Sequence, residues 1–290
     1  MNPIPRLFLI AAILVAMATP TLAADWRPLF NGNYDGWRTW LGVPHESVDV
    51  PGMQRGADGK YASPLGWDSD PLQVFTLADV DGRPAMRFSG QVFGVIVSDE
   101  SFSNYHLRLQ FKWGEKRWAP RAEAVRDSGL LYHVHGEQGR SSRTWPASVE
   151  MQIQEHDCGD LWAIVTQVSV RARTQPGENN RTLYTYDPAG EAFDFEQKLP
   201  INNRCIKGGD FEKPTGEWNT IEMVSLGGDS IHIVNGHVVM RLGNARQQAG
   251  DGWAALTAGR IALQSEGAEI FYRDIEIRPI TGVPPEYAEK

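Results

Sequence analysis

Cysteine is scarce: the 290 residues hold two, Cys158 and Cys205. That excludes a disulfide-rich scaffold, and no Cys/His spacing resembles a zinc site. Cations are outnumbered, with 28 Lys and Arg against 36 Asp and Glu and a net charge of −8. Such a balance argues against nucleic acid or an anionic lipid surface as partner. Past the N-terminal segment no apolar run reaches 18 residues, so no membrane-spanning helix is expected. No stretch sustains a 3.6-residue apolar period, and the chain lacks internal repeats, low-complexity tracts and an interdomain linker.

What is present reads as strands and turns. Arg6 precedes an apolar run over 7–18, and Thr21-Leu22-Ala23 sets small residues at the −3 and −1 positions of a cleavage site. Residues 1–23 therefore read as a secretory signal peptide, which predicts a periplasmic or secreted protein. Beyond it, 29 Gly and 15 Pro break the chain at short intervals. Segments 105–113 and 269–277 alternate apolar and polar residues, as half-buried strands do. Residues 220–226, Gly227-Gly228-Asp229 and 230–234 read as a hairpin, and Asn235-Gly236 as a type I′ turn into 237–240. This spacing predicts an all-β fold, a β-sandwich (jelly roll) of two antiparallel sheets. One domain over 24–282 is expected, with 283–290 a loose C-terminal tail. Segments 42–71 and 173–213 carry many breakers and are predicted as long surface loops of the kind that form lids. Both cysteines lie in the exported part, where a Cys158–Cys205 disulfide is one reading and two free thiols the other.

The polar strand around Glu150 carries the chemistry. Glu150, Gln152 and Gln154 share one face, and Met151 and Ile153 the other. Such a strand faces open water or lines a polar cleft. Glu150-x-Gln152-x-x-Glu155 resembles the Glu-x-Asp-x-x-Glu strand of laminarinase- and lichenase-type endoglucanases, with Gln152 in place of the Asp. Retaining hydrolysis needs two carboxyls about 5–5.5 Å apart. Glu150 and Glu155 differ by an odd number of positions and face opposite ways on a regular strand. A bulge or strand end near Gln154 is therefore expected to turn Glu155 and His156 toward Glu150. His133 and His135 share a strand face and, with Asp157, are candidates for a divalent metal. The plainer accounts are hydrogen-bonded, half-buried histidines and loop-capping aspartates. Among the nearby tryptophans, Trp145 is the preferred sugar platform, with core packing as the alternative. Arg117, Arg121, Arg126, Arg140 and Arg143 form a local cationic surplus that suits an enolate oxygen or is simply solvated loop charge.

These residues resemble the 3-keto-disaccharide hydrolase domain family over nearly the whole chain after residue 23. The match begins at Trp26-Arg27-Pro28-Leu29-Phe30-Asn31-Gly32 with Gly36-Trp37 and runs through Asn104-Tyr105-His106-Leu107. It continues through Asp127-Ser128-Gly129, where many members have Asn-Ser-Gly, and Glu150-Met151-Gln152-Ile153-Gln154-Glu155. Gly216-Glu217-Trp218-Asn219, Val234-Asn235-Gly236, Gly259-Arg260-Ile261 and Phe271-Tyr272-Arg273-Asp274-Ile275 complete it. The resemblance implies a concanavalin-like sandwich acting on small sugars oxidised at C3, with a separate sugar 3-oxidoreductase in the pathway. A C3 ketone acidifies the C2 hydrogen, so a base can form an enolate that expels the C1 substituent, and water then adds. That route needs a base, an enolate stabiliser and a proton donor. Glu155 or His156 is the expected base, with His133 a competitor. Glu150 and Gln152 are expected to bind hydroxyls or position the base, Asp157 to orient His156 or bind metal, and Lys213 to reach the cleft. A divalent metal on the keto oxygen is compatible with this chemistry but not required by it. The competing class is a non-catalytic, lectin-like carbohydrate-binding module, because one fold serves both.

Overall fold

The structure, a computed structural model, describes residues 25–197 and 203–289. The segment expected to direct export lies outside these residues. Two antiparallel sheets, one of twelve strands and one of eight among the described residues, pack face to face as an all-β jelly-roll sandwich.

Alternation builds the large sheet. In its central strand, Tyr105–Arg117, the odd positions Tyr105, Leu107, Leu109, Phe111 and Trp113 are buried. The strand lies between Asn219–Leu226 and Ala268–Pro279. The first of these forms the expected hairpin with Asp229–Val234, closed by Gly227-Gly228, since Leu226 pairs with Asp229. Asn235 and Gly236 take φ of 48° and 82° between the paired Val234 and His237. Two positive φ values are what a type I′ turn requires.

The small sheet runs in the order Arg204–Cys205, Leu161–Ile164, Ala147–Gln154, Asp127–His135, Gly259–Ser265, Gly94–Phe102, Trp37–Leu41, Gly66–Trp67. Its inner face sends Leu130, Tyr132, Val149, Met151 and Ile153 into the core between the sheets. The outer face carries a second apolar cluster of Val95, Val97, Leu131, Val134, Ile164 and Ala262. Trp40, Trp67, Trp145 and Trp162 pack over it.

Two expectations are corrected, and the cysteines take one of the two readings left open. Segment 173–213 is not one long loop: Thr182–Tyr186 and Glu191–Glu196 both pair with Thr166–Pro176. Tyr184 anchors this addition through edge contacts with Phe193 and Phe195, at 5.0 and 5.4 Å between centroids. The tail is not loose. Tyr287 donates its hydroxyl to Glu222 at 2.8 Å and meets His106 edge-on, over an outer cluster of Val224, Ile231 and Ile233. Cys158 and Cys205 are free, each buried in the apolar core, and burial pushes both thiols well above their ordinary range.

Candidate functional site

The polar strand lines the outer face of the small sheet. Glu150 stands between Leu131 and Trp162, and Gln152 is paired with Gly129. Gln154 is paired with Asp127, and Gln264 lies on the strand beyond Gly129. Because Cβ atoms alternate across a strand, Asp127, Glu150, Gln152, Gln154 and Gln264 all emerge on one side.

Gly129 makes the centre of this face possible. A Cβ there would collide with Glu150 Oε1 and Gln264 Oε1, so the missing side chain lets the carboxyl and the amide meet above the backbone. Next to them, Asp127 Oδ2 accepts from Gln154 Nε2 at 2.6 Å and pairs with Arg121 Nη2 at 2.7 Å. Arg121 in turn packs against Gly267, which follows the half-buried Glu266.

Three carboxyl groups in one place cannot all be charged cheaply. Burial raises Asp127 to about 6, opposed first by Arg121 and then by the Gln154 hydrogen bond. Burial raises Glu150 well above the usual carboxylate range, and the charges of Glu266 and Asp127 add to the effect. Glu266 is raised by burial and by Asp127, with Arg121 opposing. Burial thus favours the protonated form of Glu150, while Arg121 and the Gln154 hydrogen bond restrain the rise at Asp127.

Polar atoms on this face also lack partners. Asp127 Oδ1, Gln152 Oε1, Gln264 Oε1, Trp40 Nε1, Trp162 Nε1 and Arg121 Nε are buried without a hydrogen bond among the described residues. Leaving such groups unpaired costs about 1–3 kcal/mol each. Four of the six lie on adjoining strands of one sheet face, a pattern suited to the hydroxyls and ring oxygens of a bound molecule.

The other expected residues are dispersed. No bulge turns Glu155: the strand ends at Gln154, and Glu155 keeps the opposite direction that its parity dictates. It is held by the Arg126 backbone N–H at 2.8 Å, Arg126 Nη1 at 2.7 Å and Thr215 Oγ1 at 2.7 Å. Burial alone would raise its pKa, but these hydrogen bonds outweigh it and leave the carboxyl below its ordinary value. A stabilised anion of this kind is a poor base. His156 has φ of 71° and a side chain 84% exposed, with Asp210 as its neighbour at 3.9 Å.

His133 and His135 share a face, but it is the inner one and not the face that carries Glu150: His135 pairs with Ala147, which alternates with the core residue Val149. Tyr132 pairs with Val149 but His135 with Ala147, so one extra residue bulges at His133, whose φ is 52°. The bulge sends His133 between the sheets, where Nε2 lies 3.4 Å from Ser225 Oγ. Burial, helped by His135, lowers it to about 4, so it is neutral. His135 Nδ1 donates to the His133 carbonyl at 2.9 Å. Asp157 does not orient His156; it pairs with Arg204 at 2.9 Å, and that guanidinium lies over Trp162. Asp157 is thus engaged with Arg204 and does not join the two histidines, and no three His, Cys, Asp or Glu among the described residues are grouped to hold an ion. Lys213 is exposed and donates to the Trp218 carbonyl at 3.1 Å, away from the cleft. Trp145 packs on the outer cluster and stacks with Phe93, 6.2 Å between centroids.

Sequence reasoning missed Asp127, Gln264 and Glu266, and counted Arg121 only as surplus charge. A signal was present: Asp127/Gly129 and Gln264/Glu266 repeat the two-residue spacing of Gln152/Gln154 on neighbouring strands.

The model of the 3-keto-alpha-glucoside-1,2-lyase-like domain matches residues 25–278. The chain belongs to that family. It is a carbohydrate-active protein. Two solved structures from Parabacteroides distasonis ATCC 8503, each described as a "putative glycosyl hydrolase", resemble it at 17% and 19% identity. They cover 88% of this chain in both cases and 100% and 94% of their own, with TM-scores of 0.45 and 0.46. A Bacillus licheniformis beta-glucanase aligns at 9% identity, covering 90% of this chain and 99% of its own, with a TM-score of 0.36. No curated protein matches the chain by sequence.

Proposed function

We propose that this family member cleaves the glycosidic bond of 3-keto-glycosides, including 3-keto-disaccharides, by proton abstraction at C2, elimination and rehydration. The observation that carries the reading is the buried Glu150 meeting Gln264 above Gly129, near the Arg121–Asp127 ion pair, on a face several of whose polar atoms lack partners among the described residues. Asp127 is the base for the C2 hydrogen. Electrons flow into an enolate at the C3 oxygen, where Arg121 supplies the compensating charge. Collapse of the enolate breaks the C1–oxygen bond, and the Glu150 proton goes to the departing oxygen. Water then adds across C1 and C2 and returns a free 3-keto sugar. Gln152, Gln264 and the indole N–H groups of Trp40 and Trp162 bind sugar hydroxyls. The proposal includes export, argued from residues 1–23, and a separate oxidoreductase that supplies the ketone.

The test is release of leaving group from a 3-keto-glucoside and from its parent glucoside. Turnover of the keto compound alone is expected, with Asp127→Asn and Glu150→Gln each reducing the rate at least about a hundredfold. Binding of both compounds without turnover overturns the reading in favour of a lectin-like module.

A further inference from the structure

The two oxygens of Asp127 are not equivalent. Oδ2 accepts from Gln154 Nε2 at 2.6 Å and pairs with Arg121 Nη2 at 2.7 Å. Oδ1 is buried and has no partner among the described residues. Both charge-assisted contacts fall on one oxygen, which fixes the carboxyl plane and leaves the lone pairs of the other free to take a proton.

The residue after Gln154 holds the same segment from the other side. Glu155 takes both backbone groups of Arg126, the residue before Asp127. Its N–H donates to the Arg126 carbonyl at 3.1 Å, and the Arg126 N–H donates to Glu155 Oε2 at 2.8 Å. Arg126 Nη1 donates to Glu155 Oε1 at 2.7 Å, and Arg126 Nε to the Gly114 carbonyl of the large sheet at 3.0 Å. Thr215 Oγ1 reaches the same Glu155 Oε1 at 2.7 Å. The Arg126 and Glu155 side chains are only 16% and 13% exposed, so water weakens these bonds little. Consecutive strand residues reach opposite faces. Gln154 therefore grips the Asp127 side chain, and Glu155 grips the backbone that carries it.

We infer that Gln154 and Glu155 are positioning residues that together present Oδ1 of Asp127, and not Oδ2, to the C2 hydrogen. The assignment rests on the cleavage reading above and adds to it which oxygen acts and what holds it in place. Oδ1 forms the new O–H bond as the C2–H bond breaks, and that bond's electron pair passes into the enolate at the C3 oxygen. Neither positioning residue touches the reacting atoms. Both act through Asp127, and a displacement of about 1 Å at a reacting atom costs on the order of a hundredfold in rate.

Gln154→Leu and Glu155→Ala test it, each made alone and in an Asp127→Asn background and assayed on p-nitrophenyl 3-keto-glucoside. Alone, each is expected to lower kcat about ten- to a hundredfold with KM within about twofold. With Asp127 already replaced, each is expected to change kcat by less than about twofold, because the route through Asp127 is gone. Glu155→Gln, whose amide oxygen still accepts from the Arg126 N–H, is expected to recover most of the Glu155→Ala loss. Arg121, Glu150, Glu266 and Asp157 are the ionisable groups that face Asp127, and all remain in both variants. Gln154→Leu removes a donor that favours the ionised carboxylate, so the acid limb of its profile moves to higher pH. Equal losses in both backgrounds, losses in KM alone, or no loss in the single variants overturn the assignment. If the wild-type protein does not turn over the substrate, the cleavage reading fails, and a carbon-13 NMR titration of the Asp127 carboxyl decides whether that carboxyl is held. A midpoint that rises in Gln154→Leu supports the hold; an unmoved midpoint overturns it.

Discussion

At the residue scale, the site depends on which carboxyls keep their protons. Asp127 is 4% exposed and raised to about 6, and Arg121 is the main influence pulling it down. If Asp127 is the base, kcat/KM falls about tenfold per pH unit below about pH 6. Arg121→Gln removes the lowering influence, so the acid limb of the profile moves to higher pH; an unmoved limb excludes Asp127. Glu150, with its raised pKa, gives a stability signature of opposite sense to a salt-bridged carboxylate. Between its ordinary value of 4.5 and its folded value, the folded state binds a proton that the unfolded state has released. Stability therefore declines as pH rises through that window. Glu150→Gln removes the penalty. The variant is expected to melt higher than wild type at pH 7, to lose that advantage below about pH 4.5, and to be inactive. Thermal melts across pH measure the first two effects.

At the element scale, the strand Asp127–His135 explains both what sequence could show and what it could not. The polar face of the neighbouring strand was legible, because a two-residue period is local and Glu150, Gln152 and Gln154 obey it. Glu155 was misjudged: its odd offset pointed away from Glu150, the turn expected near Gln154 to reverse it does not occur, and Arg126 and Thr215 hold the carboxyl instead. The histidines misled because the bulge at His133 inserts one residue, and a bulge leaves no fixed mark in sequence. Asp127 and Gln264 were hidden for another reason: their roles depend on cross-strand register and on the space that Gly129 leaves. Gly129→Ala tests this directly. Overpacking against Glu150 and Gln264 is expected to cost about 1–3 kcal/mol and to cut activity far more than that loss of folded protein explains. A variant with unchanged circular dichroism and full activity shows that the meeting of Glu150 and Gln264 is not needed.

At the scale of the whole molecule, the sandwich is held by its core and not by a cross-link. The apolar cluster between the sheets is continuous from Phe30 to Ile277, and both cysteines belong to it as small apolar side chains. Exchange and oxidation proceed through the thiolate, and burial holds Cys158 and Cys205 protonated and out of reach of reagent. An export compartment therefore does not by itself force a bridge, which is why a spacing argument from sequence could not decide between one disulfide and two thiols. In the native protein neither cysteine is expected to react with an aromatic disulfide reagent over minutes, and two equivalents are expected to react at once in denaturant. Added reductant is expected to leave Tm unchanged. A Tm that drops on reduction, by the several degrees that losing about 2–4 kcal/mol brings, indicates a bridge and an altered packing around Leu161, the strand partner of Cys205.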